Sequence, residues 1–209
     1  SQILAKEAIR AKSEEVIMEN KLQWQKILLD ALNTSDKSSQ QVINDVIAQV
    51  GEVLNADVAA LYVKDKQGDL DCQYIWSKNQ SMSAEEYVTE WQRANMKFRS
   101  WQNGQGSGKL VDKGYLVIDA KHMDEAAKKI MSGGPVKSFT AVPVYVNGNY
   151  GAVFVLANTS INKLWTTEEI EFVKQTGDVL RSALEKIESD DSVKRINSVL
   201  LDTYNLSLI

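Results

Sequence analysis

The chain has 209 residues, 44% of them hydrophobic and 25% charged, with 24 basic and 28 acidic side chains and a formal net charge of −4. That composition describes a folded globular chain with apolar material enough to offset chain entropy, and it excludes collagen-like, low-complexity and strongly cationic nucleic-acid-binding classes. One cysteine, Cys72, and one histidine, His122, exclude an internal disulfide and a His/Cys zinc site within one chain.

No stretch approaches the roughly 18–20 consecutive apolar residues of a membrane span. The start, Ser1-Gln-Ile-Leu-Ala-Lys-Glu7, lacks the basic-then-apolar pattern of a signal peptide and reads as the middle of a helix. The end, Leu200 to Ile209, stops inside an apolar run. The expectation is a fragment cut from a longer chain at both ends.

Residues 2 to 32 contain no glycine or proline and are rich in good helix formers. Ile17, Trp24, Ile27, Leu28 and Ala31 fall on one helical stripe, which thins toward Ile3, Ile9 and Val16 and is too irregular for a strict heptad seam. The polar break Asn33 to Ser39 offers N-cap residues for a second helix with an apolar face of Val42, Val46, Ile47, Val50 and Leu54. Asp57 to Lys64 then reads as a strand covered on both faces. Turn chemistry at Asp65 to Asp69 joins it to a partner strand, Leu70 to Ser77.

Ser83-Ala-Glu-Glu86 fits a capping box that opens a helix through Val88, Trp91, Met96 and Phe98, and Trp101 to Gly108 is a glycine-rich loop. Tyr115 to Asp119 is a short strand, and Asp124 to Met131 a short helix closed by Gly133-Gly-Pro135. Ser138 to Val146 and Tyr150 to Asn158 flank Asn147-Gly148-Asn149, the clearest hairpin in the chain. Thr166-Thr-Glu-Glu169 caps a long helix with the stripe Ile170, Val173, Gly177, Leu180, Leu184 and Ile187; Ser189 to Ser192 interrupts that stripe, and helix resumes afterwards. The pattern is α+β, one mostly antiparallel sheet with the first and last long helices available to one face. The other face is left to residues 78 to 137, where a small-molecule pocket would form.

This order resembles the GAF domain, a sensory module, over about residues 38 to 187. Val136-Lys-Ser-Phe-Thr-Ala-Val-Pro-Val-Tyr-Val-Asn-Gly-Asn-Tyr-Gly151 is similar to the family's Ser-x-x-x-Val-Pro, hairpin, Gly pattern. Lys163 to Phe172 is similar to its aromatic-Thr-x-x-Glu entry into the last helix, and Gly114 to Asp119 to its central strand. Pro143 removes a ladder donor and belongs at an unpaired position or bulge. Gly151 allows close packing after the hairpin, and Trp165 clamps the last helix onto the sheet.

Several motifs lend themselves to sharper readings that the residues do not support. Asn103-Gly-Gln-Gly-Ser-Gly-Lys109 lacks the first Gly and the final Ser or Thr of a phosphate loop, and reads as a flexible loop over the pocket. The GAF class that reduces free methionine sulfoxide needs two cysteines. Cys72 stands alone in a region unlike bilin-attachment sites, and reads as a packed, inert thiol. Against the Asn-Lys…Phe…Asp-Glu signature of cyclic-nucleotide-binding members, Asn158 matches the Asn, Thr159 replaces the Lys, Trp165 replaces the Phe, and Glu168-Glu169 stand for the acidic pair. Lys163 is the displaced partner available to that pair.

The resemblance therefore implies a cytoplasmic sensor domain, not an enzyme, that binds an unidentified small molecule noncovalently. Trp76, Phe98, Trp101, Tyr115, His122, Ser138 and Thr140 are the expected pocket lining, with Ser138 and Thr140 sharing one strand face by parity. Residues 1–35 form a signalling and dimerisation helix, 36–187 the sensor domain, and 188–209 a linker helix opening a missing output domain. In bacterial relatives such outputs include diguanylate cyclases and histidine kinases. The flanking helices are expected to hold a parallel homodimer. The rival reading is a ligand-free relay and dimerisation module whose pocket its own aromatics fill.

Overall fold

The computed structural model describes residues 2–78, 107–122, 125 and 136–206. The elements are α1 (Gln2–Leu32), α2 (Ser39–Val53), β1 (Val58–Lys64), β2 (Leu70–Ser77), α3 (Ser107–Lys113), β3 (Leu116–Ile118), β4 (Ser138–Val146), β5 (Asn149–Asn158) and α4 (Thr167–Leu206). The expected helix over 83–98, the glycine loop as far as residue 106 and nearly all of the expected helix over 124–131 lie outside the described residues. The seven-residue α3 was not anticipated. It occupies the end of the glycine-rich stretch, where glycine content masks the helix.

Five strands form one sheet in the order β2-β1-β5-β4-β3, every described pair antiparallel. The β4–β5 turn is built on Asn147 and Gly148 at φ of 49° and 79°. Left-handed backbone at both central residues is what a two-residue primed turn requires, and it matches the twist of the strands. A register shift follows one residue after Pro143, between Val144 and Tyr145, and leaves Gly151 out of the ladder. A Cβ on Gly151 would stand 3.2 Å from Val146, so the close approach expected of this glycine is present.

Strand parity divides the core into two layers. Ala59, Leu61, Val142, Val144, Phe154 and Leu156 face α2 and α4. Val58, Phe139, Ala141, Val153 and Val155 face the opposite side, where Leu110 of α3 packs. Helix α2 is held by a capping box, Ser38 Oγ accepting from Gln41 N–H and Gln41 Oε1 accepting from Ser38 N–H. It seats Ile43, Val46, Ile47 and Val50, each nearly inaccessible, on the sheet.

Helix α4 starts with a second box, Thr166 with Glu169, and lays Val173, Leu180 and Leu184 on the same face. Gly177 brings it close to Val142, and the helix runs unbroken through Ser189 to Ser192. Helix α1 lies on that side too, packed over α2 and α4, with Trp24 stacked on Phe172 at a 5.0 Å centroid distance. Among the described residues no helix is long and apolar enough to cross a membrane.

Candidate functional site

At one end of the sheet β1 begins, β5 and β3 finish and β4 starts, so four strand ends meet the loop that leads into α4. Unpaired backbone groups there need partners, and short polar side chains supply them. Asp57 Oδ2 accepts from the backbone N–H groups of Thr159 and Ser160, both at 2.8 Å, and from the Ser160 hydroxyl at 2.7 Å. Burial alone would raise this carboxyl, but the hydrogen bonds from Ser160 and Thr159 hold it below the usual aspartate range. Asn158 Nδ2 donates to Asn55 O at 2.9 Å, and Ser138 Oγ accepts from Lys163 N–H at 3.0 Å.

Asp119 is completely buried just past β3. Its Oδ1 accepts the N–H groups of Lys121 and His122, each at 2.9 Å, and lies 2.8 Å from His122 Nδ1. Its Oδ2 accepts the Trp165 N–H at 3.2 Å. Desolvation opposes ionisation, yet these bonds, with that of His122 foremost, keep the carboxyl below its ordinary value. An ionised carboxylate can only accept, so Nδ1 of His122 carries the proton and donates. The ring is thereby oriented, and about half of its side chain is open to solvent. Asp119 is thus a positioning group shared by the His122 turn and the loop that enters α4.

Lys163 closes the corner. Its Nζ donates to Leu54 O at 2.6 Å and pairs with Glu169 Oε1 at 2.7 Å, both side chains only 14% exposed. It also lies 4.7 Å from the centre of the Trp165 ring. The residues that stand near a cyclic-nucleotide signature are joined here in a clamp between α2, the loop and α4. Among the described residues, Asn158 Oδ1 and Trp165 Nε1 are the buried side-chain polar atoms left without a hydrogen-bond partner, and both sit in this corner.

The expected pocket residues that the structure describes are dispersed. Trp76 and Tyr115 pack against the helix-side core, Trp76 over Gly51 of α2 and Tyr115 beneath Lys174 of α4 at 4.8 Å. Ser138 and Thr140 do share a face and are fully buried, but it is the face of Val142 and Val144. The Thr140 hydroxyl donates to Leu116 O at 3.2 Å. His122 lies on the exposed turn past β3, and Phe98 and Trp101 lie outside the described residues.

Asp57 and Asp119 were missed as anchors. The signal available was an aspartate at the entrance of one buried strand and another at the exit of a second.

Described residues line cavities on the helix side of the sheet and beside the β4–β5 hairpin. One of about 400 Å³ lies between α1 and the first turns of α4, around Lys21, Trp24, Glu168 and Phe172. Another, of about 440 Å³, lies between the β4–β5 hairpin, Tyr74 and Leu184. No group of three or more His, Cys, Asp or Glu that could hold a metal ion occurs among the described residues.

The family model of the GAF domain matches residues 38–184. No curated protein matches the chain. Among solved structures, the phycocyanobilin-bound GAF domain of a cyanobacterial phytochrome shares 14% identity at a TM-score of 0.57, over 80% of this chain and 94% of that one. The GAF domain of a phosphoenolpyruvate-protein phosphotransferase from Coxiella burnetii shares 14% at a TM-score of 0.56, over 82% and 98%. Its counterpart from Acinetobacter shares 14% at a TM-score of 0.53, over 80% and 93%. At such identities the likeness is one of fold.

Proposed function

The chain belongs to the GAF domain family, sensory and regulatory modules of signalling proteins, and on that footing we propose that it is the small-molecule sensor domain of a bacterial, cytoplasmic signalling protein, working as a homodimer. A ligand held noncovalently against the sheet face away from α2 and α4 regulates an output domain in cis. Residues 1–35 serve as the dimerisation helix and 188–209 as the linker to that output; the domain performs no catalysis itself.

The observation that carries this reading is the double engagement of Asp119. One carboxylate orients the half-exposed ring of His122 and also holds the Trp165 N–H, one residue before the Thr166 cap of α4. A shift of the His122 turn on binding changes the same carboxylate that seats the output helix. Such a change biases helix packing only to the extent that ligand affinity differs between the two arrangements.

The relay reading is favoured by a separate observation. Trp76, Tyr115, Ser138 and Thr140 are all used up in the helix-side core, so a module without a ligand needs no other explanation for them.

Native mass spectrometry of the freshly purified protein against its denatured mass separates the two. A dimer carrying extra mass supports the sensor and weighs its occupant. A bare dimer that no member of a metabolite library stabilises in thermal-shift assays supports the relay.

A further inference from the structure

Helix α1 carries two apolar faces. The first, Trp24, Ile27, Leu28 and Ala31, is packed on α2 and α4. The second is exposed: Leu4 at 69%, Met18 at 60%, Leu22 at 59%, Leu29 at 58% and Leu32 at 59%. With Ala8, Ala11, Glu15 and Gln25 these residues step 4, 3, 4, 3 along the helix from Leu4 to Leu32, the spacing of a coiled-coil seam. The stripe too irregular for a heptad seam is centred on the packed face, whose residues interleave with this one.

We infer that this seam pairs antiparallel with α1 of a second copy, Leu22 of one chain opposite the partner's Ala11 and Leu29 opposite the partner's Leu4. The inference rests on the dimeric reading above and replaces the parallel orientation expected of the flanking helices with an antiparallel one. Charge decides between the alternatives. A parallel pair in register sets Glu14 against the partner's Glu19, Lys21 against the partner's Lys26 and Glu15 against itself, and matches only Glu7 with the partner's Lys12. In the antiparallel register Lys12 meets the partner's Glu19 and Glu14 meets the partner's Lys21, each twice by symmetry, with no like charges opposed along the flanks. Flanking charges of this kind set partner orientation more than affinity. Glu14 is now paired with Arg10 of its own helix at 2.8 Å on an open surface, a contact readily exchanged.

The same register gives a role to the free half of α1. Ile3, Arg10 and Ile17 extend the packed stripe beyond the domain and are exposed, Ile3 at 73% and Ile17 at 43%. In the antiparallel pair they turn toward the partner's domain. Arg10 comes level with the cavity between α1 and α4, whose wall carries Glu168 and Glu171.

Cysteine cross-linking in a Cys72→Ser background tests this. Chains carrying Ala11→Cys and Leu22→Cys, mixed and oxidised, are expected to give the mixed disulfide, while neither gives a dimer alone. A Lys12→Glu variant is expected to dissociate more readily, and Lys12→Glu/Glu19→Lys to recover. Efficient self-cross-linking of Leu22→Cys would establish a parallel seam and overturn the orientation while the dimer stands. A dimer by sedimentation that neither thiol captures overturns α1 as its seam. A monomeric unmodified chain overturns the dimeric reading itself.

Discussion

The indole of Trp76 fills the space that a side chain at position 51 would need. A Cβ built on Gly51 would stand 2.4 Å from Trp76 Cε3 and 3.2 Å from Ala59 Cβ. Helix α2 crosses the sheet edge at that glycine, and the ring closes the gap between them. Gly51→Ala is therefore expected to destabilise by about 1–3 kcal/mol despite the better helix propensity of alanine, because overpacking costs that much. In a Trp76→Leu background the same change is expected to cost markedly less. Urea unfolding of the four proteins in the cycle measures it, and equal costs in both backgrounds would refute the contact.

Much of this architecture is legible in the sequence, and the reason is local. Capping boxes at Ser38 and Thr166, turn chemistry at Asn147-Gly148 and the period of α2 each depend on a few neighbouring residues. Side-chain direction in the sheet is another matter. Parity groups Ser138 with Thr140 but does not say which face they join, and in β4 both faces are buried, so hydrophobicity gives no vote. The choice is made by where α2 and α4 settle. Trp76 joins the same helix-side layer, over Gly51, and the anchoring role of Asp119 is not legible because its partner Trp165 lies 46 residues away.

Asp119 and Asp57 should make stability depend on acid. Both carboxyls are held below their unfolded value by hydrogen bonds. A depressed pKa contributes stability that is present above the unfolded value of about 4 and is lost as pH falls through the folded one. Asp119→Asn is expected to lower stability at pH 7 by about 1–3 kcal/mol, the cost of disturbing buried hydrogen bonds to one group. The deficit against the unmodified chain should shrink as pH drops below 4. Urea midpoints from pH 7 to pH 3 give the comparison; a deficit constant with pH would mean that ionisation of Asp119 is irrelevant.

The Lys163–Glu169 pair is almost enclosed, and Lys163 also satisfies Leu54 O. Removing one member leaves the other charge poorly solvated, which costs about 3–5 kcal/mol in buried pairs. Lys163→Met and Glu169→Gln should each be severe, Lys163→Met more so because it strips the Leu54 carbonyl as well. The double variant should fall well short of the sum, as expected of residues in contact. Additive losses in thermal unfolding would show that the two act separately.

Cys72 is half-buried on β2, its Sγ 3.7 Å from Tyr74 O, and burial with Asp71 alongside pushes its thiol up to about 11. The thiolate is the reactive form, and at neutral pH so high a value leaves roughly one thiol in 10⁴ ionised, against a few per cent for a free cysteine. Native Cys72 should therefore react with iodoacetamide at pH 7.5 about 100-fold more slowly than the same chain in urea. Its rate should climb with pH well past 9, where an ordinary thiol has levelled off. Rapid, stoichiometric labelling of the folded protein would contradict the environment of β2 described above, and would reopen Cys72 as a point of covalent attachment.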